Sequence, residues 1–179
     1  MSQMFTTPYK IRNAAAADFP ALAAVEMTAG QIFYDQGIIA PSDDHTVTAE
    51  KFTYGFSCLV EADDKDTDAP GAAIAGFIQL VWVDRFLHIE ELSVHPDHQK
   101  QGIGAALIAH ALDLARQRDA LGVTLSTFRD VSWNGPYYEK LGFEEISAVG
   151  LGEDYTEMRE EEHTAGLDIT ARCLMIYHL

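Results

Sequence analysis

Positive charge is what this chain most lacks: 12 Lys and Arg stand against 28 Asp and Glu in 179 residues, a formal net charge of −16. Such a field repels nucleic acid and anionic lipid, which argues against a DNA, RNA or membrane partner, and it attracts cationic small molecules. Cysteine is scarce as well, with only Cys58 and Cys173. Each sits in an apolar, strand-like run with no second Cys at metal-ligand spacing, so buried free thiols are expected rather than a disulfide framework or a zinc site. No apolar run reaches membrane-spanning length, and Met1 to Arg12 has neither an apolar h-region nor a small-residue cleavage site, so a cytoplasmic protein is expected. What is present suits a folded chain: 47% hydrophobic and 22% charged residues. This composition and length predict one domain over residues 1–179.

Hydrophobic period divides the chain. Tyr9 to Asn13 alternates as a strand. Asp18 is expected to cap a helix whose apolar face is Phe19, Leu22, Val25 and Met27, ending before Gly30. Gln31 to Thr48, with Gly37, Pro41, Ser42, Asp43 and Asp44, reads as a loop, and Thr48 opens a short helix through Tyr54. Ser57–Ala62 and Ala72–Val83 are strands joined by an aspartate-rich connection, Asp63–Gly71, which lacks the glycine and terminal glutamate of a calcium loop. Leu87–Val94 is a strand that stops at Pro96. A helix over Gly102–Arg118 follows from the stripe Ile103, Leu107, Ala111 and Leu114, widened by Ile108, Leu112 and Ala115. Leu121–Thr127 is again a strand, so this segment is a βαβ unit. A short helix over Trp133–Leu141 ended by Gly142, and strands over Phe143–Val149 and Ile169–His178, complete the reading.

The segment Gln99-Lys100-Gln101-Gly102-Ile103-Gly104 joins a strand to a helix. The first N–H groups of a helix have no partner within it and the dipole there is positive, so main-chain donors can hold a pyrophosphate. Glycine at 102 and 104 lets oxygen atoms approach without meeting a Cβ. The loop lacks the Lys-Ser/Thr ending of a P-loop, and it comes late in the chain, without the acidic residue of a dinucleotide fingerprint. His95-Pro96-Asp97-His98, just before it, is explained by a prolyl turn rather than by metal binding.

The order of these segments, with Gln99-x-x-Gly102-x-Gly104 followed by Tyr138-Glu-Lys-Leu-Gly-Phe143, resembles the GNAT N-acetyltransferases from Ile11 to about Val149. The resemblance implies an α/β (α+β) fold, a mixed, mostly antiparallel central sheet of about seven strands with helices on both faces. It implies acetyl-CoA as the acyl donor. Gln99, Lys100, Gln101, Gly102, Ile103 and Gly104 would bind its pyrophosphate, and the main chain from Leu92 to Val94 would pair with the pantetheine arm as an added strand. The N–H of Val94 would polarise the thioester carbonyl. Many family members carry an Asn where Val131 stands here; Asn134, one turn later, is the residue expected to bring an amide to the cofactor.

Direct transfer to an alkyl ammonium requires that the amine lose a proton. His88 and Glu90 share one strand face by period two, and Glu91 faces the other. In related transferases residues aligning with His88 and Glu90 can serve as bases, directly or through water, and a bulge in this strand would change which glutamate faces the cleft, so all three remain candidates. Tyr138 matches the family's acid at the leaving sulfur; packing beside Tyr137 and Phe143 is its other reading. No metal is implied. The acceptor site would be lined by Glu26, Gln31, Phe33 and Tyr34, and later by Glu153, Asp154, Glu157, Glu160, Glu161 and Glu162, although Glu160–Glu162 also reads as a solvated helix face. The implied reaction is acetyl transfer to a primary amine on a cationic small molecule. Acetylation of protein N-termini or lysines, a non-catalytic acyl-CoA-binding sensor and a homodimeric assembly are the readings beside it.

Overall fold

Alternation over Tyr9–Asn13 gives an edge strand, β1 (Tyr9–Asn13), paired antiparallel with β2 (Phe56–Ala62) from Tyr9↔Ala62 to Asn13↔Cys58. The computed structural model describes residues 9–39, 48–62, 73–149, 151–164 and 170–179. The connection Asp63–Gly71, the loop residues Pro41, Ser42, Asp43 and Asp44, and Ile169 at the expected start of the last strand lie outside them. The other strands are β3 (Ala73–Val83), β4 (Phe86–Val94), β5 (Gly122–Phe128), β6 (Glu144–Ile146) and β7 (Arg172–His178). They form one mixed, mostly antiparallel sheet in the order β1-β2-β3-β4-β5-β7-β6. The pair β4 and β5 is parallel, with registered partners from Phe86↔Gly122 to Ile89↔Leu125.

By Cα proximity the chain divides into two units, Met1–Gln79 with Glu91–Ala109, and Leu80–Glu90 with His110–Leu179. In the first, helix α1 (Phe19–Asp35) buries Leu22, Ala23 and Val25 against Phe52, Leu59 and Phe77. Phe52 meets Phe77 edge-on at 5.3 Å between centroids. Each such side chain, fully removed from water, contributes roughly 1.5–3 kcal/mol. Three expectations for α1 fail. The helix continues through Gly30, where a Cβ would meet nothing within 4 Å, so the glycine marks neither a turn nor a close contact. Met27, placed on the apolar face, is 51% exposed. Nor does the Asp18 side chain cap α1: it accepts the Ala15 N–H at 2.7 Å and two guanidinium N–H groups of Arg12 at 2.7 and 2.9 Å. The Arg12 hydrogen bond is the main reason its carboxyl is held down to about 2. The short helix expected from Thr48 is a 3-10 turn, Ala49–Thr53.

In the second unit β5 pairs antiparallel with β7, and β6 closes the other side of β7. Helix α3 (Gly135–Lys140) follows β5, and Gly135 is obligatory because a Cβ there would run into the Arg129 carbonyl. Helix α4 (Glu153–Thr164) is an element that the hydrophobic period did not reveal. Its sequence is almost wholly polar, and Tyr155 is its one buried residue. Helix α2 (Ile103–Gln117) lies within a residue of its expected limits and buries Ile103, Leu107, Ile108, Ala111, Leu112 and Ala115.

Candidate active site

The loop into α2 begins from a 3-10 turn, Pro96–His98, anchored where the His95 N–H donates to the Ala75 carbonyl at 2.9 Å. Lys100 (φ 60°) and Gly102 (φ 82°) both adopt the left-handed conformation, which a lysine takes up only when its surroundings impose it. The Ala106 N–H donates to the Gly102 carbonyl at 3.0 Å, so the amides of Ile103, Gly104 and Ala105 precede the helix's own ladder. The glutamines brace the loop: Gln99 Nε2 donates to the Val94 carbonyl at 3.3 Å and Gln101 Nε2 to the Asp97 carbonyl at 3.4 Å. Tyr9, on β1, adds a tie from its hydroxyl to Gln101 Oε1 at 2.6 Å, with His98 Nδ1 3.2 Å away. Sequence reasoning did not connect Tyr9 to this loop, because 92 residues separate it from Gln101.

Strand β4 carries the three candidate bases, and simple alternation does not describe them. His88 is buried while Glu90, two residues on, is exposed, and Glu91 is half-buried. The change falls just after Ile89, the last residue of β4 registered with β5. His88 Nδ1 lies 2.9 Å from Thr124 Oγ1, which lies 2.8 Å from the Tyr155 hydroxyl. Burial pushes the imidazole down to about 4, so it is neutral at physiological pH.

Glu91 belongs to a different environment. Its Oε1 accepts from Ser93 Oγ at 2.8 Å, and its Oε2 lies 3.5 Å from Lys51 Nζ. Lys51 in turn donates to Glu26 Oε1 at 2.6 Å. Glu26 Oε2 is buried and has no hydrogen-bond partner among the described residues. Burial, then the neighbouring Glu91 charge, raises the Glu26 carboxyl to about 7 against the opposing pull of Lys51. The lysine is held from behind, since Gln79 Nε2 donates to the carbonyls of Lys51 at 3.0 Å and Tyr54 at 3.2 Å. Glu26 had been expected on an acceptor rim and Glu91 among the bases; Lys51 had not been singled out.

Tyr138 is 8% exposed, with its ring edge-on to Tyr137 at 5.4 Å and Phe143 at 5.7 Å. Asn134, which precedes α3, donates from Nδ2 to Thr127 Oγ1 at 2.7 Å, while its Oδ1 is buried and without a partner among the described residues. On α4, Glu153, Asp154, Glu157, Glu160 and Glu161 are exposed, as a solvated face requires. Glu162 departs from that reading: its side chain is 12% exposed and bonds Arg172 at 2.9 Å and Arg159 at 2.5 Å. A cavity of about 530 Å³ nearby is lined by Arg129, Glu145, Arg159, Arg172 and Cys173 among others, and holds none of the expected site residues. No helix among the described residues is long and apolar enough to cross a membrane.

Comparison with known proteins fits this geometry. Over 91 residues the chain is 36% identical to a streptothricin acetyltransferase of Streptomyces lavendulae, and the matched stretch spans 46% of this chain and 46% of that relative. Among solved structures, the PaiA N-acetyltransferase of Thermoplasma acidophilum in complex with coenzyme A superposes with a TM-score of 0.70 at 16% identity, covering 96% of this chain and 99% of that one. The ribosomal-protein-S18-alanine N-acetyltransferase of Escherichia coli gives a TM-score of 0.60 at 20% identity, over 78% of this chain and 79% of that one. These structures share the fold. A profile of the Acetyltransferase (GNAT) family matches residues 22–143, more than half the sequence, and the chain therefore belongs to the Acetyltransferase (GNAT) family.

Proposed function

We propose that this chain is an N-acetyltransferase that moves an acetyl group from acetyl-CoA to a primary amine on a cationic small molecule, by direct transfer. The observation that carries the reading is the opening of α2. Where a Gly102 Cβ would stand there is nothing within 4 Å, and the amides of Ile103, Gly104 and Ala105 precede the helical ladder. An open cradle of unshared N–H groups at a positive helix end fits a diphosphate. Acetyl-CoA, when bound, supplies an activated thioester. The chain's own residues would do the rest: Gln99 to Gly104 hold the diphosphate, and the main chain of Leu92 and Val94, beyond the last parallel pair at Ile89, takes the pantetheine amides. The Val94 N–H would sit on the thioester oxygen and the Asn134 amide near the pantetheine.

Proton traffic is assigned to two side chains. Glu91 takes the proton of the acceptor ammonium, because it is half-buried beside Lys51, whereas Glu90 is exposed and the His88 ring is buried and bonded to Thr124. Tyr138 holds a proton for the leaving sulfur, a role carried by its match to the family motif. The net charge of −16 supports a cationic acceptor.

The experiment is a thiol-release assay with acetyl-CoA and a panel of streptothricin, a polyamine, an amino sugar and a peptide with a free N-terminus. Release that depends on a small cationic amine is expected, and Tyr138→Phe should lower kcat by on the order of 10² with unchanged acetyl-CoA affinity. Release with the peptide alone would move the acceptor to proteins. Tight acetyl-CoA binding with no release for any acceptor would replace the enzyme by a sensor.

A further inference from the structure

Glu26, Lys51 and Glu91 come from α1, a 3-10 turn and β4, so three separate elements converge on one ammonium. We propose that Lys51 and Glu26 are positioning residues for Glu91: the lysine clasps both carboxylates, the buried Glu26 keeps the one proton they share, and Glu91 is left to take another from the acceptor amine. The inference rests on the assignment of Glu91 as the base.

Geometry supplies the division of roles. Two carboxylates face one cation, so the cluster carries one negative charge too many for a site half withdrawn from water, and a proton is the simplest way to remove it. Glu26 is the more enclosed partner, with a side chain 14% exposed against 26% for Glu91. Its Oε2 is buried without a hydrogen-bond partner among the described residues, and the Glu91 carboxylate stands beside it, so a proton there replaces an uncompensated charge. The charged groups that act on Glu26 are Lys51 and Glu91, which pull its ionisation in opposite directions. Glu91 accepts the Ser93 hydroxyl on Oε1 and has Lys51 Nζ 3.5 Å from Oε2. Gln79, bonded to the Lys51 and Tyr54 carbonyls, stops the turn that carries the lysine from drifting. No covalent bond changes; a proton passes from the acceptor ammonium to a Glu91 oxygen, and the neutral amine is the nucleophile that remains.

The test is a carbon-13 titration of glutamate side-chain carboxyls in the full chain, with Glu26→Gln identifying the Glu26 signal. Lys51→Met should raise the Glu26 midpoint by about one pH unit, since a cation is lost, and Glu91→Gln should lower it, since a like charge is lost. Lys51→Arg, which keeps the charge, should restore the wild-type midpoint. The acid limb of kcat/KM should follow, moving up in Lys51→Met and returning in Lys51→Arg. Circular dichroism establishes that each variant is folded. An unmoved midpoint in Lys51→Met, or shifts of one sign in both variants, overturns the proposal. The titration needs no acceptor, so it also separates the two readings. If midpoints move as expected but Glu91→Gln retains full kcat, Glu91 is not the base while the coupling stands. If Glu91→Gln abolishes turnover and the midpoints do not move, the coupling alone is wrong.

Discussion

Each unit of the chain holds a cluster of three charged side chains, and the two are opposite in composition. In the first, Glu26 and Glu91 share one cation, Lys51; in the second, Arg159 and Arg172 share one anion, Glu162. Burial drives both glutamates toward protonation, but the outcomes differ. Glu26 ends near 7, because Glu91 adds to the effect of burial and Lys51 does not cancel it. Glu162 ends below its ordinary value, because the Ser126 hydroxyl and the two arginine charges outweigh burial. Arg172 also bonds the Ser126 carbonyl at 3.1 Å and lies 5.1 Å from the centre of the Phe128 ring. Where the excess charge is cationic the shared carboxylate is held ionised, whereas an excess carboxylate beside a single cation favours a bound proton.

The contrast is sharpest in catalysis. Glu91→Gln should lower kcat by about 10³, as loss of a general base does, while Glu162→Gln leaves kcat per folded molecule unchanged in the same thiol-release assay. Equal losses in the two variants would erase the distinction. Stability should reverse the order. In urea unfolding, Glu162→Gln should cost about 2 kcal/mol by leaving two arginines underpaired, whereas Glu26→Gln should cost less than about 1 kcal/mol because it removes a carboxyl that is poorly solvated to begin with.

Acid and base limbs of stability offer a finer test. The folded Glu26 carboxyl, near 7 against an ordinary 4.5, binds a proton that the unfolded chain releases, so its contribution is present below pH 4.5 and is lost as pH rises through 7. Buried His88 works the other way. Its folded value near 4, against an ordinary 6.5, gives a contribution present above pH 6.5 that is lost as pH falls through 4. Each amounts to roughly 3 kcal/mol at most. Between pH 4.5 and 6.5 the two slopes oppose, so Glu26→Gln should make stability rise more steeply with pH there, and His88→Gln should flatten or reverse the rise. The smallest expected effect concerns the loop brace: Tyr9→Phe should weaken acetyl-CoA binding by calorimetry about fivefold, the loss of one net hydrogen bond, with kcat unaltered.

Legibility in the sequence followed the strength of the local signal. Strand β1 and helix α2 were readable because alternation at Tyr9–Asn13 and the stripe from Ile103 to Ala115 each repeat a single period. Of helix α4 only a solvated face at Glu160–Glu162 was readable, because Tyr155 and Met158 are the only large apolar side chains in a run of charged residues. Its helix is held by tertiary contacts from Tyr155 to Thr124, Arg159 to Ser126 and Glu162 to Arg172 rather than by a face. The turn into α2 was legible from its glycines, but its brace from Tyr9 was not. Between Glu90 and Glu91 the sequence offered two adjacent carboxylates and no means of choosing, since one residue of register exchanges their faces.

By itself the sequence determined the family, the strand–loop–helix unit with its row of unshared amides, and the excess of negative charge, all of which follow from local spacing and composition. Tertiary structure alone decided that His88 is buried against Thr124, that Glu162 pairs with Arg159 and Arg172, and that Glu26, Lys51 and Glu91 meet. The reason is physical: the acidity of a carboxyl or an imidazole depends on which charges and how much water lie within a few ångströms, and residues 26, 51 and 91 become neighbours only once the chain is folded.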